Sequence, residues 1–334
     1  MKPTLKDVAR ESNVSTATVS KVINKLGGYS KKTEERVLEV IKKLGYEPNA
    51  VARSLAMKST RIIGVLIPNA ETSVFAQLLD GIEMAARKRG YSIIICNTGN
   101  SGVRTLKYLK LLSENQVAGI IYSSSPLYDE CFKFIVNRKI PCVLALTGSY
   151  KFQVPYVKVD DRQAAYAATK YLIENGHRKI ALIVGNIMDP IAGRPRLEGY
   201  EQAFFDYNID LNENLIVYAY DFSYKSGIKS MNELLDRKEK FTAVFGTSDD
   251  LAIGALNVAY EKGIKVPHDI SIMGYDNTKM AHMVYPSLTT VGQPLYKMGR
   301  EAAEKVIDII DGKCVESTIM NYEIVEMSTV RSIK

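Results

Sequence analysis

The sequence has no tryptophan, three histidines and four cysteines among its 334 residues. Cys96, Cys131, Cys142 and Cys314 stand alone, without CxxC or paired-ligand spacing, and His177, His268 and His282 are equally scattered. These gaps argue against a zinc site and a disulfide scaffold, and they suit a reduced, cytoplasmic setting. No apolar run approaches the ~18–20 residues that a membrane helix needs, and residues 1–30 lack the apolar stretch of a signal peptide. HExxH, GxSxG and P-loop motifs are missing and three scattered histidines offer no triad, so an enzyme is disfavoured and no cofactor or metal is implied.

What is present reads as globular: 46% hydrophobic and 24% charged residues exclude global disorder. The length suggests two or three units rather than one module. The formal net charge of +7 is unevenly placed: residues 1–60 hold twelve Lys and Arg against six Asp and Glu, whereas residues 61–334 hold 32 against 31. A basic segment on a neutral body is the electrostatic footprint of a nucleic-acid-binding head on a carrier domain. A solvated lysine-rich surface would give the same count, so the pattern has to decide.

Val8, Ala9, Val14, Val19, Val22 and Ile23 recur at helical spacing. Ser12, Asn13 and Ser15 make a polar break short enough only for a tight turn, and Ser15 can cap a second helix running to about Asn24. A third helix is capped by Ser30, buries Val37, Val40, Ile41 and Leu44, and ends at Gly45. Two short helices across a tight turn, braced by a third, are the helix-turn-helix plan, whose second helix reads the DNA major groove.

The runs Thr4-Leu5-Lys6-Asp7-Val8-Ala9, Val14-Ser15 and Thr18-Val19-Ser20-Lys21-Val22-Ile23-Asn24 resemble the headpiece signature of the lac repressor (LacI/GalR) family of bacterial transcription regulators. The resemblance implies base-reading roles for Thr16, Ala17 and Lys21. Lys21 stands where the family usually has Arg, and lysine reaches guanine without the rigid fork. Thr4, Ser20, Asn24, Ser30 and Thr33 then take phosphate-positioning roles. In Tyr46–Ala56, Pro48 breaks the preceding helix and Asn49 can cap a new one that would be marginal alone. By resemblance this segment is a hinge helix ordered on DNA, with Asn49, Ala52 and Leu55 at the minor groove and Leu55 as an apolar wedge; a plain linker is the other reading.

Beyond residue 60, short continuous apolar runs such as Arg61–Pro68 alternate with amphipathic segments, the pattern of parallel strands with crossover helices. The theme restarts after Asp160. The expected fold is therefore α/β: a helix-turn-helix domain over 1–46, a hinge over 47–60, and a bilobed periplasmic-binding-protein-like body over 61–334 with two parallel sheets. Lobe 1 is expected over about 61–160 and 291–320, lobe 2 over about 161–290 and 321–334. The family pattern continues in Gly176-His177-Arg178-Lys179-Ile180, Asp249-x-x-Ala252-x-Gly254 and Gly274-Tyr275-Asp276. Ligands in open parallel sheets sit beyond the C-terminal strand ends. Arg196, Asp249 and Asp276 fall there and are implied effector contacts, with Phe75 as an apolar wall for a sugar ring. The bland reading of both aspartates is helix capping or an ion pair between lobes, and His177 reads as structural.

Asp221-Phe222-Ser223-Tyr224-x-Ser226-Gly227 and Gln293-Pro294-x-Tyr296 most resemble the catabolite control protein A-like members of the family. Those take a phosphorylated carrier protein as corepressor, partly through basic residues on the next helix. Here the usual Met-Arg pair is Ala303-Glu304, and an acidic residue would repel a phosphate. A small-molecule effector, sugar or sugar phosphate, is therefore favoured over the phosphocarrier protein. Glu326 stands where the family usually has Arg, and nothing explains it. The expected function is a cytoplasmic, homodimeric repressor of a sugar-use operon, binding double-stranded operator DNA. No leucine heptad after residue 320 points to a tetramer. The competing class, a solute-binding protein for uptake, shares the body but would need an export signal and no basic head.

Overall fold

The computed structural model describes residues 3–23, 27–46, 60–70, 72–99, 103–123 and 126–334. Asn24 and the hinge residues Asn49, Ala52 and Leu55 lie outside the described residues. The chain divides into two compact units, Met1–Thr60 and Arg61–Lys334.

In the first unit, helices α1 (Leu5–Glu11), α2 (Thr16–Ile23) and α3 (Lys31–Leu44) each start at a hydroxyl cap. Thr4 accepts the Asp7 N–H at 3.4 Å while the Asp7 carboxylate accepts the Thr4 N–H at 3.0 Å, a reciprocal capping box. Ser15 Oγ accepts the Thr18 N–H at 3.1 Å, and Ser30 Oγ accepts the Thr33 N–H at 3.2 Å. The turn before α2 passes through Asn13 at φ +49°, and α3 ends at Gly45 at φ +61°, where a side chain would be strained. Val8, Ala9, Val19, Val22 and Val37 form the buried centre, ringed by Val14, Ile23, Val40, Ile41 and Leu44. These are the positions that helical periodicity selects.

The second unit holds two six-stranded sheets. The first contains β1 (Ile62–Ile67), β2 (Ser92–Asn97), β3 (Gly119–Tyr122), β4 (Cys142–Ala145), β5 (Tyr156–Val159) and β11 (Thr318–Met320). Their order is β11-β5-β4-β3-β1-β2, with every pairing parallel. Helices α4 (Ser73–Lys88) and α12 (Leu295–Ile310) pack on one face, burying Leu78, Ile82, Met298 and Val306 against Ile63, Val65 and Val143. Helices α5 (Thr105–Glu114) and α6 (Asp129–Asn137) cover the other face with Leu109, Leu112 and Ile135. The first pair packs backbone to backbone, since a Cβ on Gly299 would lie 2.0 Å from the Leu78 carbonyl oxygen and one on Gly81 2.1 Å from that of Tyr296.

The second sheet has the order β12-β10-β9-β8-β6-β7, built from β6 (Ile180–Val184), β7 (Ile216–Tyr218), β8 (Ala243–Gly246), β9 (Ser271–Asp276), β10 (Thr289–Gly292) and β12 (Glu323–Val325). Only β12 runs antiparallel to its neighbour. Helices α7 (Asp161–Glu174) and α8 (Gly193–Asp206) cover one face, and α9 (Tyr224–Asp236) and α10 (Asp249–Glu261) the other. A short α11 (Lys279–Met283) follows β9. The chain crosses between the sheets three times: from β5 to α7, from β10 to α12, and from β11 to β12. Continuous apolar strands buried on both faces explain the all-parallel centre.

Candidate nucleic-acid interface and interlobe cleft

On the headpiece, burial of Val19 and Val22 fixes the orientation of α2. Thr16, Ala17 and Lys21 are consequently exposed together on its outer side. Thr4 and Ser30 are exposed caps, and Ser30 and Thr33 place their hydroxyls 2.9 Å apart. Ser20 is half-buried on α2. Lys31 and Lys32 are exposed beside Ser30 at the start of α3, so that helix N-terminus carries two ammonium groups. Such an end suits a phosphate. Thr4 is more constrained, because its hydroxyl donates to the Asp7 carboxylate at 2.7 Å. That carboxylate also pairs with Arg10 at 2.9 Å, and the Thr4 hydrogen bonds hold it below the usual carboxylate range.

The second unit has a cleft of about 610 Å³ between its sheets. Its walls are the segments just past the C-terminal ends of strands: Pro68 and Asn69 after β1, Ser123 after β3, Thr147 after β4, Asn186 after β6, Tyr220 after β7, and Asp276 closing β9. This is where doubly wound sheets place ligands.

Arg196 lies in the cleft wall on α8 and is buried. Its Nε and Nη2 donate to Asp161 Oδ1 at 3.0 and 2.8 Å, and its Nη1 donates to the Thr247 carbonyl at 2.6 Å. The guanidinium also rests 3.7 Å from the centre of the Tyr275 ring, a stacked arrangement that immobilises it. Asp161 in addition pairs with Lys158 of β5 at 3.0 Å, so one carboxylate at the first crossing holds a cation from each lobe. Asp276 accepts from Gln293 Nε2 at 2.7 Å. Its φ of +122° is strained for a residue with a side chain. Burial pushes its carboxyl well up, against the pull of Arg196. Phe75 opens α4 and forms part of the wall.

Asp249 is placed apart from the other three. It is fully buried and does not line the cleft. It accepts the Thr278 N–H at 2.7 Å and the Thr290 hydroxyl at 2.5 Å, tying α10 to the loop after β9 and to β10. Burial raises its carboxyl to about 7. Asp250, one residue on, does line the cleft, and burial raises it to about 6. One residue rotates ~100° around a helix, so neighbours at a helix start face different surroundings. Phe222 also lines the cleft, its ring 5.6 Å from Arg196, in space that Gly185 leaves open: a Cβ there would lie 2.3 Å from the ring. Ser223 caps α9, and Asp221 braces that cap, accepting from the Ser223 and Ser226 hydroxyls at 2.6 Å each. The Asp221-Phe222-Ser223 run was the available signal for both residues. His177 is structural, with Nδ1 2.9 Å from the Thr242 hydroxyl and Nε2 3.2 Å from the Arg331 carbonyl.

A capped helix-turn-helix unit joined in one chain to a two-lobed body, whose cleft combines apolar walls with buried charged groups, defines a DNA-binding regulator of the ligand-responsive class. Residues 4–49 match the profile of the bacterial regulatory proteins of the lacI family, and residues 169–329 that of the periplasmic binding protein-like domain. Catabolite control protein A of Priestia megaterium is 38% identical over 320 residues, covering 96% of each chain. The transcriptional regulator CelR in its cellobiose complex is 32% identical with a TM-score of 0.74, over 98% of this chain and 99% of that one. The lac repressor dimer bound to operator and an anti-inducer gives 27% identity and a TM-score of 0.87, over 99% of this chain and 100% of that one. The chain belongs to the lacI family of bacterial regulatory proteins and is a DNA-binding transcriptional regulator.

Proposed function

We propose that the chain is a homodimeric repressor of sugar or carbon-utilisation genes, working in the cytoplasm without catalytic activity. Two headpieces read a pseudo-palindromic operator. Thr16, Ala17 and Lys21 take the base edges, Thr4, Ser20, Asn24, Ser30 and Thr33 the phosphates, and the 47–60 hinge the minor groove through Asn49, Ala52 and Leu55. The observation that carries the reading is the cleft: a buried arginine and a strained aspartate converge at strand ends in a chain that also bears the headpiece. Arg196, Asp276 and Phe75 contact the effector, joined by Asp250 and Phe222. The cellobiose complex of a relative supports a sugar-class occupant. Occupancy shifts the lobes and so the operator affinity, a coupling of typically ~1–3 kcal/mol. The exposed Ile95, Met280, Met283 and Tyr285 offer an apolar face for the second copy.

Selection of bound sequences from genomic fragments, followed by operator titration with and without candidate sugars, tests this. A single palindromic consensus whose affinity moves with a sugar is expected. The absence of any selected consensus would overturn it.

The 38% identity to catabolite control protein A favours a second reading, in which a phosphorylated carrier protein is the corepressor. Against it, Ala303 is fully buried on α12, and the exposed Glu304 lies 3.7 Å from Arg300. Operator affinity unchanged by the phosphorylated carrier separates the two.

A further inference from the structure

The charge lining the cleft is lopsided. Among the described residues on its wall Arg196 is the one cation, facing the carboxylates of Asp189, Asp221, Asp250 and Asp276. The arginine is partly committed: Asp161, which it shares with Lys158, takes two of its five N–H groups, the Thr247 carbonyl takes a third, and the Tyr275 ring holds its face. A ligand bearing phosphate or carboxylate would thus meet four carboxyl groups and a single arginine that is already paired with Asp161.

Three of those carboxylates are partly satisfied by the protein. Asp189 Oδ1 accepts the Ile191 and Ala192 N–H groups at 2.8 and 3.3 Å. Asp221 accepts the Ser223 N–H and hydroxyl, and Asp276 accepts from Gln293. Asp250 differs, having no hydrogen-bond or ion-pair partner among the described residues. A half-buried carboxylate without a partner at the wall of a cavity this size needs a donor from the occupant. The apolar faces of Phe75 and Phe222 supply packing and no charge.

We infer that the occupant of this cleft is a polyhydroxylated ligand without negative charge, rich in hydroxyl or amino donors, and that Asp250 is the acceptor that selects it. The inference rests on the cleft being the effector site and narrows the sugar class to exclude phosphorylated and acidic members. Carboxylates suit this task because each offers two acceptor oxygens in a fixed plane to neighbouring donors. An amine would add a charge-assisted bond, which is shorter and stronger.

The test is calorimetric titration of the full-length protein with matched sets of pentoses, hexoses and disaccharides. Each sugar is supplied in neutral, 2-amino and phosphorylated form. A neutral or amino member is expected to bind at least about tenfold more tightly than its phosphate. Asp250→Asn should weaken that member about tenfold or more, the scale of a lost charged hydrogen bond. Asp250→Lys should reverse the preference toward the phosphate, a gain that mere damage to the fold would not give. An advantage of the amino over the neutral form that vanishes in Asp250→Asn assigns the donor as an amine; equal binding assigns it as hydroxyls. A phosphate or acid that binds as tightly as its neutral parent overturns the inference, as does a panel with no neutral or amino binder. Operator titration on the same samples keeps the two readings apart: a phosphate that binds and moves operator affinity removes the charge assignment and leaves the regulator standing.

Discussion

Asp161 and Arg196, 35 residues apart in the chain, share two hydrogen bonds at 3.0 and 2.8 Å with both side chains almost wholly buried. A buried pair of this kind adds little over an apolar replacement of both partners, yet removing one partner strands the other. Asp161→Asn is therefore expected to cost about 3–5 kcal/mol of unfolding free energy, since Lys158 would lose its counter-ion as well. Urea denaturation of the full chain reads this directly; a loss under ~1 kcal/mol would show the pair to be dispensable.

Asp276 separates strain from function. At φ +122° a glycine relaxes the backbone and an alanine does not. Both Asp276→Gly and Asp276→Ala should lose the effector response, while the glycine variant should be the more stable of the two by about 1–2 kcal/mol. Equal melting curves would contradict the strain.

The pH dependence has a definite sign. Burial raises Asp249 from 3.8 to about 7 and Asp250 from 3.8 to about 6. The folded chain therefore holds protons that the unfolded chain releases. Stability from these groups is full below pH ~4 and falls as pH rises through ~4–7, by on the order of 7 kcal/mol in all. Asp249→Asn should flatten the upper part of that fall and Asp250→Asn the lower part, read from denaturation midpoints across pH 4–8. Stability that rises over this window in the wild type relative to the variants would refute the assignment.

Lys21 is exposed on the outer side of α2. Lys21→Ala is expected to weaken operator binding by about 1–3 kcal/mol and to relax preference at one base pair per half-site. Lys21→Arg should sharpen preference there, through its rigid fork. Loss that is uniform across operator sequences would make Lys21 a phosphate contact instead.

Leu55 is assigned from sequence as the minor-groove wedge. Leu55→Ala should reduce operator bending together with affinity. An unchanged bend angle in gel-shift permutation assays would remove the wedge.

Much of this was legible in the sequence because burial leaves a period. Val8, Val19, Val22 and Val37 mark the headpiece core, and runs such as Ile62–Ile67 mark strands covered on both faces. The strands β5, β10, β11 and β12 were not: each has only three or four residues, and β11 pairs with β5 from the far end of the chain. Spacing also gave no way to choose between Asp249 and Asp250. The choice depends on which direction each points from the first turn of α10, set by Thr278 and Thr290, 29 and 41 residues downstream. Nor could it show that the arginine was already occupied, because Asp161 reaches it only once α7 and α8 are packed together.

The seating of α12 on α4 through Gly81 and Gly299 has a mechanical result. With carbonyls where side chains would otherwise cushion the contact, the two helices have no slack between them. The second crossing leads straight into α12, Phe75 lies at the start of α4, and β2 with the exposed Ile95 is the edge of the same sheet. Under the proposed lobe shift, torque delivered at the crossing would turn this whole lobe as one lever and carry the outer edge with it in the same stroke.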